Sequence, residues 1–264
     1  MKDIIKIESL NCKNIFEDLN LNIKEKQFIS ISGNNKSGKT TLIKILSRNI
    51  KTNNTITLYD KNINEYSITS LYKKIGVIIP ENIIFLFSTV KDELMYILDN
   101  IDIEKEEKKK KYKEIIKLLK LNKYQLEDPS NLHDNLKIKV ELAKILLTQP
   151  SIILLDDICY KMTKTETKEI LDILKNYQTQ EQITLIMTTS DLNETLYSDY
   201  IYILNDGNIA LEGSPIEVLK EDNTLNKLGL NLPFMIDLSV KLMDYDLINE
   251  IDLDMDMLVN KLWK

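Results

Sequence analysis

The chain has little of several residue types on which particular functions depend. Its 264 residues contain one histidine, two cysteines and, in Arg48, one arginine. Cys12 and Cys159 are too few for a disulfide framework and indicate reduced thiols. A small-molecule kinase needs an arginine-rich substrate pocket, and the single arginine therefore disfavours this class of enzyme. The net charge of −6 argues against a general nucleic-acid binder, which normally carries a basic surplus.

Long apolar runs are also missing. No stretch reaches the ~18 apolar residues that a membrane-spanning helix requires, and residues 1–6 lack the apolar block of a secretory signal. We therefore expect any membrane role to be peripheral. The composition is 43% hydrophobic and 29% charged, which indicates a sizeable core in one large domain or in one domain with a modest appendage.

The most informative segment is Gly33–Thr40, which fits the phosphate-loop pattern G-x-x-x-x-G-K-[ST]. A strand-like run at 28–32 precedes it, and a helix-like run at 41–46 follows it. The backbone N–H groups of such a loop form an anion site together with the helix N-terminus. We expect Lys39 to reach the β- and γ-phosphates of ATP, and the Thr40 hydroxyl to hold Mg²⁺. The predicted nucleotide-binding residues are Gly33, Asn34, Asn35, Lys36, Ser37, Gly38, Lys39, Thr40 and Thr41.

Strand-like and helix-like segments alternate along the chain, which predicts an α/β fold with a mostly parallel sheet. The run 151–157 is apolar up to two carboxylates, as expected of a central strand buried on both faces, and 183–187 is a second such strand. A helix is predicted between them at about 164–176, and 88–121 is helical in pattern. Further strands are predicted at 4–7, 19–23, 55–59 and 75–80.

An apolar strand that ends in Asp downstream of a phosphate loop is the Walker B pattern. Ligands bind at the carboxyl ends of parallel strands, so Asp156 is expected beside the loop. There it would contact Mg²⁺, directly or through water, opposite Thr40; the alternative is an Asp that caps a turn or helix. Asp157 stands where many P-loop ATPases carry Glu. Its carboxylate is one methylene shorter, so we expect a weak catalytic base.

The order of elements over about 5–208 resembles an ATP-binding-cassette ATPase. The segment 212–219 is similar to the one that follows the core in many importer ATPases. The segment 229–234 resembles the C-terminal extension of the A components of energy-coupling-factor transporters, which import vitamins and metal ions. The resemblance implies a P-loop NTPase fold with a mostly parallel sheet, an antiparallel β lobe, a helical subdomain and a small helical C-terminal extension. The implied domains are 1–211 for the cassette, about 88–148 for its helical subdomain and 212–264 for the extension.

Two motifs of that family are altered here. Its serine- and glycine-rich signature, which closes over the γ-phosphate bound by the opposite subunit, corresponds to 132–139, where Asp134 and Asn135 replace both glycines. A carboxylate beside a polyphosphate is repelled. The family's switch histidine corresponds to Ser190, which we expect to be inactive. His133, the only histidine, precedes the Walker B strand, and we interpret it as an exposed surface residue.

Smaller departures from the family pattern occur elsewhere. The glutamine expected near Ile79–Pro80 is absent, Thr163 stands where an Asp is usual, and Lys36 stands where a glycine is more usual. An adenine-stacking aromatic is common at the position of 11–14, where this chain has none. Phe16 is the candidate to replace it by a small shift.

Proteins of this family resemble one another in working as head-to-tail dimers. A homodimer of this chain would repeat every altered motif at both sites. We therefore expect a heterodimer with a second ABC ATPase subunit, peripheral to the cytoplasmic face of the membrane and bound to an integral membrane transporter subunit. MgATP binding would drive closure of the dimer, while the chain's own ATPase activity is expected to be weak. The alternative is an ATP-sensing, non-hydrolysing P-loop regulatory subunit outside transport.

Overall fold

The computed structural model describes residues 2–52 and 55–262. The strands are β1 (Asp3–Cys12), β2 (Phe16–Lys24), β3 (Phe28–Ser32), β4 (Thr55–Leu58), β5 (Lys61–Asn62), β6 (Ile75–Ile78), β7 (Ile152–Asp156), β8 (Thr184–Thr189), β9 (Tyr200–Asn205) and β10 (Asn208–Gly213). The helices are α1 (Lys39–Leu46), α2 (Ile68–Tyr72), α3 (Val90–Asp99), α4 (Lys105–Leu118), α5 (Asp134–Thr148), α6 (Lys164–Glu181), α7 (Leu192–Thr195), α8 (Pro215–Leu219), α9 (Asp222–Lys227), α10 (Phe234–Asp244) and α11 (Met255–Leu262).

The larger sheet has six strands in the order β10-β9-β3-β8-β7-β6. β9, β3, β8, β7 and β6 run parallel, and β10 pairs antiparallel with β9. Every residue of β3, β7 and β8 is buried. The prediction of central parallel strands from continuous apolar runs is therefore confirmed, because such strands bury both faces.

Alternate residues of β7 serve two separate hydrophobic clusters, since successive side chains of a strand point to opposite faces. Ile153 and Leu155 pack with residues of α3, α4, α5 and α6, whereas Ile152 and Leu154 pack with residues of β1, β2 and α1. The smaller sheet, in the order β2-β1-β4-β5, is antiparallel and contributes to the second cluster. This sheet is the predicted antiparallel lobe, and the α/β fold class is confirmed.

The segment predicted to be helical at 88–121 consists of two helices, α3 and α4. Asn100 ends α3, and its side-chain amide donates to the carbonyl oxygen of Tyr96 (2.7 Å). The charged first turns of α4 face solvent, while Ile115 and Ile116 near its end are buried. α3, α4 and α5 pack on one another. The limits of 88–148 for a helical subdomain stay a prediction.

A helical extension, α8–α11, follows β10. Ser214 begins α8 with a capping box, in which the Glu217 carboxylate accepts from the Ser214 backbone and hydroxyl. β10 continues to Gly213, and the domain boundary at 212 stays a prediction. Among residues 2–52 and 55–262, no helix has both the length and the apolarity to cross a membrane. The extension packs on the cassette through a buried cluster of Leu192, Ile201, Ile203, Val218, Leu219, Leu225, Leu230 and Ile236.

Candidate nucleotide-binding site

The phosphate loop joins β3 to α1 and encloses the Lys39 side chain. Lys39 Nζ donates hydrogen bonds to the carbonyl oxygens of Gly33 (2.5 Å) and Asn34 (2.9 Å). Burial lowers the pKa of the Lys39 ammonium, while the nearby carboxylates of Asp157 and Asp156 oppose that shift. An ammonium has three donors, so one remains for a phosphate oxygen.

The other predicted loop residues differ in exposure. Asn34, Asn35 and Lys36 are exposed, and Thr41 is partly buried in the first turn of α1. Ser37 is buried, and its hydroxyl oxygen has no hydrogen-bond partner among the residues that the structure describes. A buried hydroxyl without a partner is normally satisfied by a ligand or water. A phosphate group at this loop would therefore fit the residues present.

The loop backbone uses the left-handed region at Gly38 and Lys36. At Gly38 φ is +109°, and an added Cβ would lie 2.7 Å from the ring of Phe16, so a side chain does not fit. Lys36, at φ +70°, occupies the position where the sequence pattern favours glycine. Left-handed backbone costs a residue with a Cβ roughly 1–2 kcal/mol. The departure at Lys36 thus stores conformational strain within the loop.

The interpretation of Phe16 as an adenine-stacking ring is wrong. Phe16 begins β2, is 1% exposed and packs against Gly38. A ring buried in this way has no free face for a base. Its neighbour Ile15 is partly exposed and also lies close to Gly38. The side chain beside the loop at this edge is therefore aliphatic.

The predicted metal ligands lie next to each other. Asp156 ends β7, is 4% exposed, and its Oδ1 accepts hydrogen bonds from the hydroxyls of Thr40 (3.1 Å) and Thr188 (2.7 Å). Mg²⁺ prefers oxygen ligands and is commonly bound by one or two carboxylates together with substrate phosphates and waters. No cluster of three or more His, Cys, Asp and Glu residues suited to a metal occurs within the described ranges. Thr40 and Asp156 therefore fit a Mg²⁺ ion whose shell is completed by a nucleotide.

Asp157 leaves the end of β7 in the left-handed region, with φ +46°. Its N–H donates to the carbonyl oxygen of Thr188 (3.1 Å). Burial raises the pKa of the Asp157 carboxyl, Lys39 opposes that shift, and repulsion from Asp156 adds to it. The Asp157 carboxyl is thus within electrostatic reach of Lys39 and Asp156, in an environment that raises its pKa above that of an exposed Asp.

Ser190 directly follows β8 and is exposed. A hydroxyl at this position can donate and accept hydrogen bonds, but it cannot carry the positive charge of an imidazolium. A cavity of about 450 Å³ beside it is lined by Asp157, Asp191 and Glu194, among others. The structure therefore brings Ser190 to the same edge of the sheet as Asp157.

Glu194 on α7 was not among the site residues predicted from the sequence. The side chain is 6% exposed, and its Oε2 has no hydrogen-bond partner in the part of the chain that the structure describes. Burial raises the pKa of Glu194 to about 7, a hydrogen bond from Thr189 opposes the shift, and Asp191 and Asp157 add to it. A Glu four positions after Ser190 was visible in the sequence, but its burial was not.

The segment 132–139, which the resemblance aligns with the family's signature, includes the start of α5, and its side chains have contacts of their own. His133 is exposed, as predicted, and precedes the first turn. Asp134 lies at the N-terminus of the helix, where the helix dipole favours a negative charge, and pairs with Lys161 (3.2 Å). The Asn135 side-chain amide donates to the carboxylate of Glu166. The Asp134 carboxylate is thus held by an ion pair at the exposed start of α5.

Thr163 begins α6 with a capping box. Its hydroxyl oxygen accepts from the N–H of Glu166 (3.3 Å), and the Glu166 carboxylate accepts from the Thr163 N–H (2.8 Å) and hydroxyl (2.8 Å). An Asp in place of Thr163 would lose the hydroxyl donor and face a like charge. The unusual Thr is therefore suited to Glu166.

Comparison with known proteins agrees with this geometry. Residues 16–159 match the family model described as ABC transporter. The energy-coupling factor transporter ATP-binding protein EcfA1 of Leuconostoc mesenteroides is 30% identical over 251 residues, which are 92% of this chain and 92% of that protein. EcfA1 of Bacillus subtilis is 30% identical over 94% of this chain and 89% of that protein.

Solved structures are similar as well. The structure of cbiO1 from Clostridium perfringens, described as part of the ABC transporter complex cbiONQ, has a TM-score of 0.76 and 26% sequence identity. The similarity covers 90% of this chain and 99% of that chain. The matched family model and the shared fold together show that this chain belongs to the ABC transporter family.

Proposed function

We propose that this chain is the ATP-binding subunit of an energy-coupling-factor-type ABC transporter that imports vitamins or metal ions. The observation that carries the proposal is the hydrogen bond between Thr40 and Asp156, which places a hydroxyl and a carboxylate beside the loop that holds Lys39. The relatives with energy-coupling factor names are similar over nearly the whole chain, the C-terminal extension included. Both observations support MgATP binding at this site.

Each group at the site has a distinct part in binding. The loop N–H groups and the N-terminus of α1 would meet the phosphate oxygens, and Lys39 would add its third donor. When bound, Mg²⁺ would supply positive charge that offsets the negative charge of the phosphates. Thr40 and Asp156 would hold the ion, while Thr188 fixes the orientation of the Asp156 carboxylate through its hydrogen bond.

Hydrolysis by this subunit is slow in the mechanism that we propose. Asp157 supplies a basic carboxylate, but it is one methylene shorter than Glu, and proton transfer depends on reach within hydrogen-bond distance. Ser190 cannot supply an imidazole. General acid–base groups contribute about 10²–10⁴-fold each, although losses within one catalytic unit are not additive. ATP can still drive a conformational change by preferring the closed state.

The proposed assembly is a heterodimer with a second ABC ATPase, bound at the cytoplasmic face to a membrane transporter subunit. In a head-to-tail pair, the site built on Lys39 would use the partner's signature. The partner's site would face Asp134 and Asn135, whose side chains have contacts of their own. A partner with an intact signature would therefore complete the ATP site of this chain.

The experiment that tests the proposal is calorimetric titration of the purified chain with ATP, with and without Mg²⁺. Asp156→Asn keeps an oxygen for Thr40 and Thr188 but removes the charge. We expect this variant to reduce the gain in ATP affinity that Mg²⁺ provides by roughly tenfold or more, which corresponds to about 1.4 kcal/mol of binding free energy. Asp172→Asn, at an exposed ion pair on α6, is the matched control. Absence of MgATP binding to the unmodified chain would contradict the proposal, as would full Mg²⁺ dependence in Asp156→Asn.

The second candidate function is an ATP-sensing regulatory subunit outside transport. The contacts of Asp134 with Lys161 and of Asn135 with Glu166 favour it, because they engage both side chains of the segment that would meet a partner's nucleotide. Extraction of membranes with detergent discriminates between the two functions. A transporter subunit would co-purify with an integral membrane protein, whereas a regulator outside transport would not.

A further inference from the structure

The C-terminal extension makes a direct hydrogen bond to the phosphate loop. The side-chain amide of Asn34 donates to the backbone carbonyl oxygen of Leu228. Leu228 is the C-cap of α9, and Gly229 follows it in the left-handed region at φ +69°. The chain turns away there, which leaves the Leu228 carbonyl available to a donor from outside the helix. Two segments 194 residues apart in sequence are thereby joined at the loop.

The end of α9 is also packed into a buried hydrophobic cluster. Leu225 and Leu230, on either side of the bonded carbonyl, are buried in the cluster that contains Ile201 and Ile203 of β9. Leu192, the first residue of α7, belongs to the same cluster and lies two positions after Ser190. The contact to Asn34 therefore comes from a packed part of the extension, not from a loose tail.

Asn34 is also one of the two residues whose carbonyl oxygens accept hydrogen bonds from Lys39 Nζ. Its carbonyl oxygen accepts hydrogen bonds from Lys39 Nζ (2.9 Å) and from the Ser37 N–H (3.1 Å). A hydrogen-bonded path thus leads from Leu228 through the Asn34 peptide to the Lys39 ammonium. Asn34 therefore contacts both the lysine of the loop and the C-terminal extension.

We propose that the end of α9 is a latch on the phosphate loop, with Asn34 as its positioning residue, so that nucleotide binding and order in the extension are coupled. The coupling rests on the proposed function, because it requires that the loop bind ATP. The latch itself does not depend on ATP binding. Coupling of this kind is reciprocal: ATP that orders the loop orders the end of α9, and a fixed end of α9 favours ATP by the same factor.

Hydrogen exchange of three backbone amides reports the latch. The N–H groups of Leu228, Gly229 and Leu230 close the end of α9 by bonding to the carbonyls of Thr224, Asn226 and Leu225 in turn. In the nucleotide-free chain, we expect Asn34→Ala to speed exchange at these three amides by roughly threefold to tenfold. Asn34→Asp, which replaces the donor by a carboxylate, should speed it at least as much. Asn176→Ala, at an exposed position of α6 outside the loop and the extension, is the control and should leave the exchange unchanged.

The same amides report the coupling once nucleotide is added. We expect saturating MgATP to slow their exchange in the unmodified chain by roughly threefold or more, and Asn34→Ala to abolish that effect. Unchanged exchange in nucleotide-free Asn34→Ala would overturn the latch, whether or not ATP binds. If calorimetry shows MgATP binding but the three amides do not respond to it, the coupling is wrong and the proposed function stands. If calorimetry shows no binding, the proposed function and the coupling fail, and the nucleotide-free comparison still decides the latch.

Discussion

At the residue scale, two consecutive carboxylates serve different purposes. Asp156 continues the extended backbone of β7 and accepts two hydroxyl hydrogen bonds. Asp157 turns into the left-handed region, which Asp and Asn adopt more readily than other residues with a side chain. The backbone therefore suits an Asp at 157. A Glu at 157 would extend the carboxylate by one methylene, but it would adopt this left-handed backbone conformation less easily.

The pair Asp157→Glu and Ser190→His tests which groups limit hydrolysis. We expect the double variant to release phosphate from ATP at least roughly tenfold faster than the unmodified chain, in the presence of a partner cassette. Each single variant should gain much less, because the two groups act on one reaction. Phosphate release under saturating MgATP measures the effect, with Ser190→Ala as the control. No gain in the double variant would mean that other altered motifs limit the rate.

At the element scale, the start of α6 depends on Thr163. Thr163→Ala removes the hydroxyl that caps the helix and bonds to Glu166. We expect a loss of about 1 kcal/mol in the free energy of unfolding, measured by urea denaturation. Thr163→Ser keeps the hydroxyl and should lie close to the unmodified chain. An equal loss in both variants would show that packing of the Thr methyl matters and not the cap.

α7 makes the stability of the fold depend on pH through Glu194. The pKa of its carboxyl rises from 4.5 to about 7 on folding, so the folded chain binds this proton more tightly than the unfolded chain does. Glu194 therefore lowers the free energy of unfolding as pH rises from 4.5 to about 7, by up to about 3 kcal/mol. We expect Glu194→Gln to raise the free energy of unfolding by roughly 1–3 kcal/mol at pH 8. At pH 4.5 it should change that free energy little.

Urea denaturation at both pH values measures this effect. Glu181→Gln, at the exposed end of α6, is the matched control and should show no comparable dependence on pH. A gain of equal size at pH 4.5 and pH 8 in Glu194→Gln would contradict the titration of Glu194 as its cause.

At the scale of the whole molecule, the altered signature predicts how the chain associates. With MgATP and no other protein, we expect it to remain a monomer, because each copy would present the Asp134 carboxylate to the other's triphosphate. With a second cassette ATPase that has an intact signature, we expect an ATP-dependent one-to-one complex. Size-exclusion chromatography with light scattering distinguishes these states. Asp134→Gly with Asn135→Gly should make self-association detectable, and ATP-dependent dimers of the unmodified chain would contradict the reasoning.

The fold and the loop were predictable because their signals are local. β7 and β8 were evident as continuous apolar runs, and the pattern ending in Lys39 and Thr40 lies within eight consecutive residues. The contact between Asn34 and Leu228 and the burial of Glu194 were not predictable, because they depend on segments that are distant in the sequence. Asn34 meets Leu228 across 194 positions, and the pKa of Glu194 depends on burial that tertiary packing imposes. Phe16 was misinterpreted because the expectation rested on its closeness to 11–14 in the family pattern, which does not reveal that its ring is buried.

Glu166 has a consequence for how the molecule can move. One of its carboxylate oxygens fastens the start of α6, while the other accepts from Asn135 at the start of α5. A single side chain thus pins two helix ends to each other. If the signature helix swings when two cassettes come together, either this pin breaks or the helix behind the Walker B strand swings with it. The distance between the side chains of Asn135 and Glu166 would then report how far α5 has moved relative to α6.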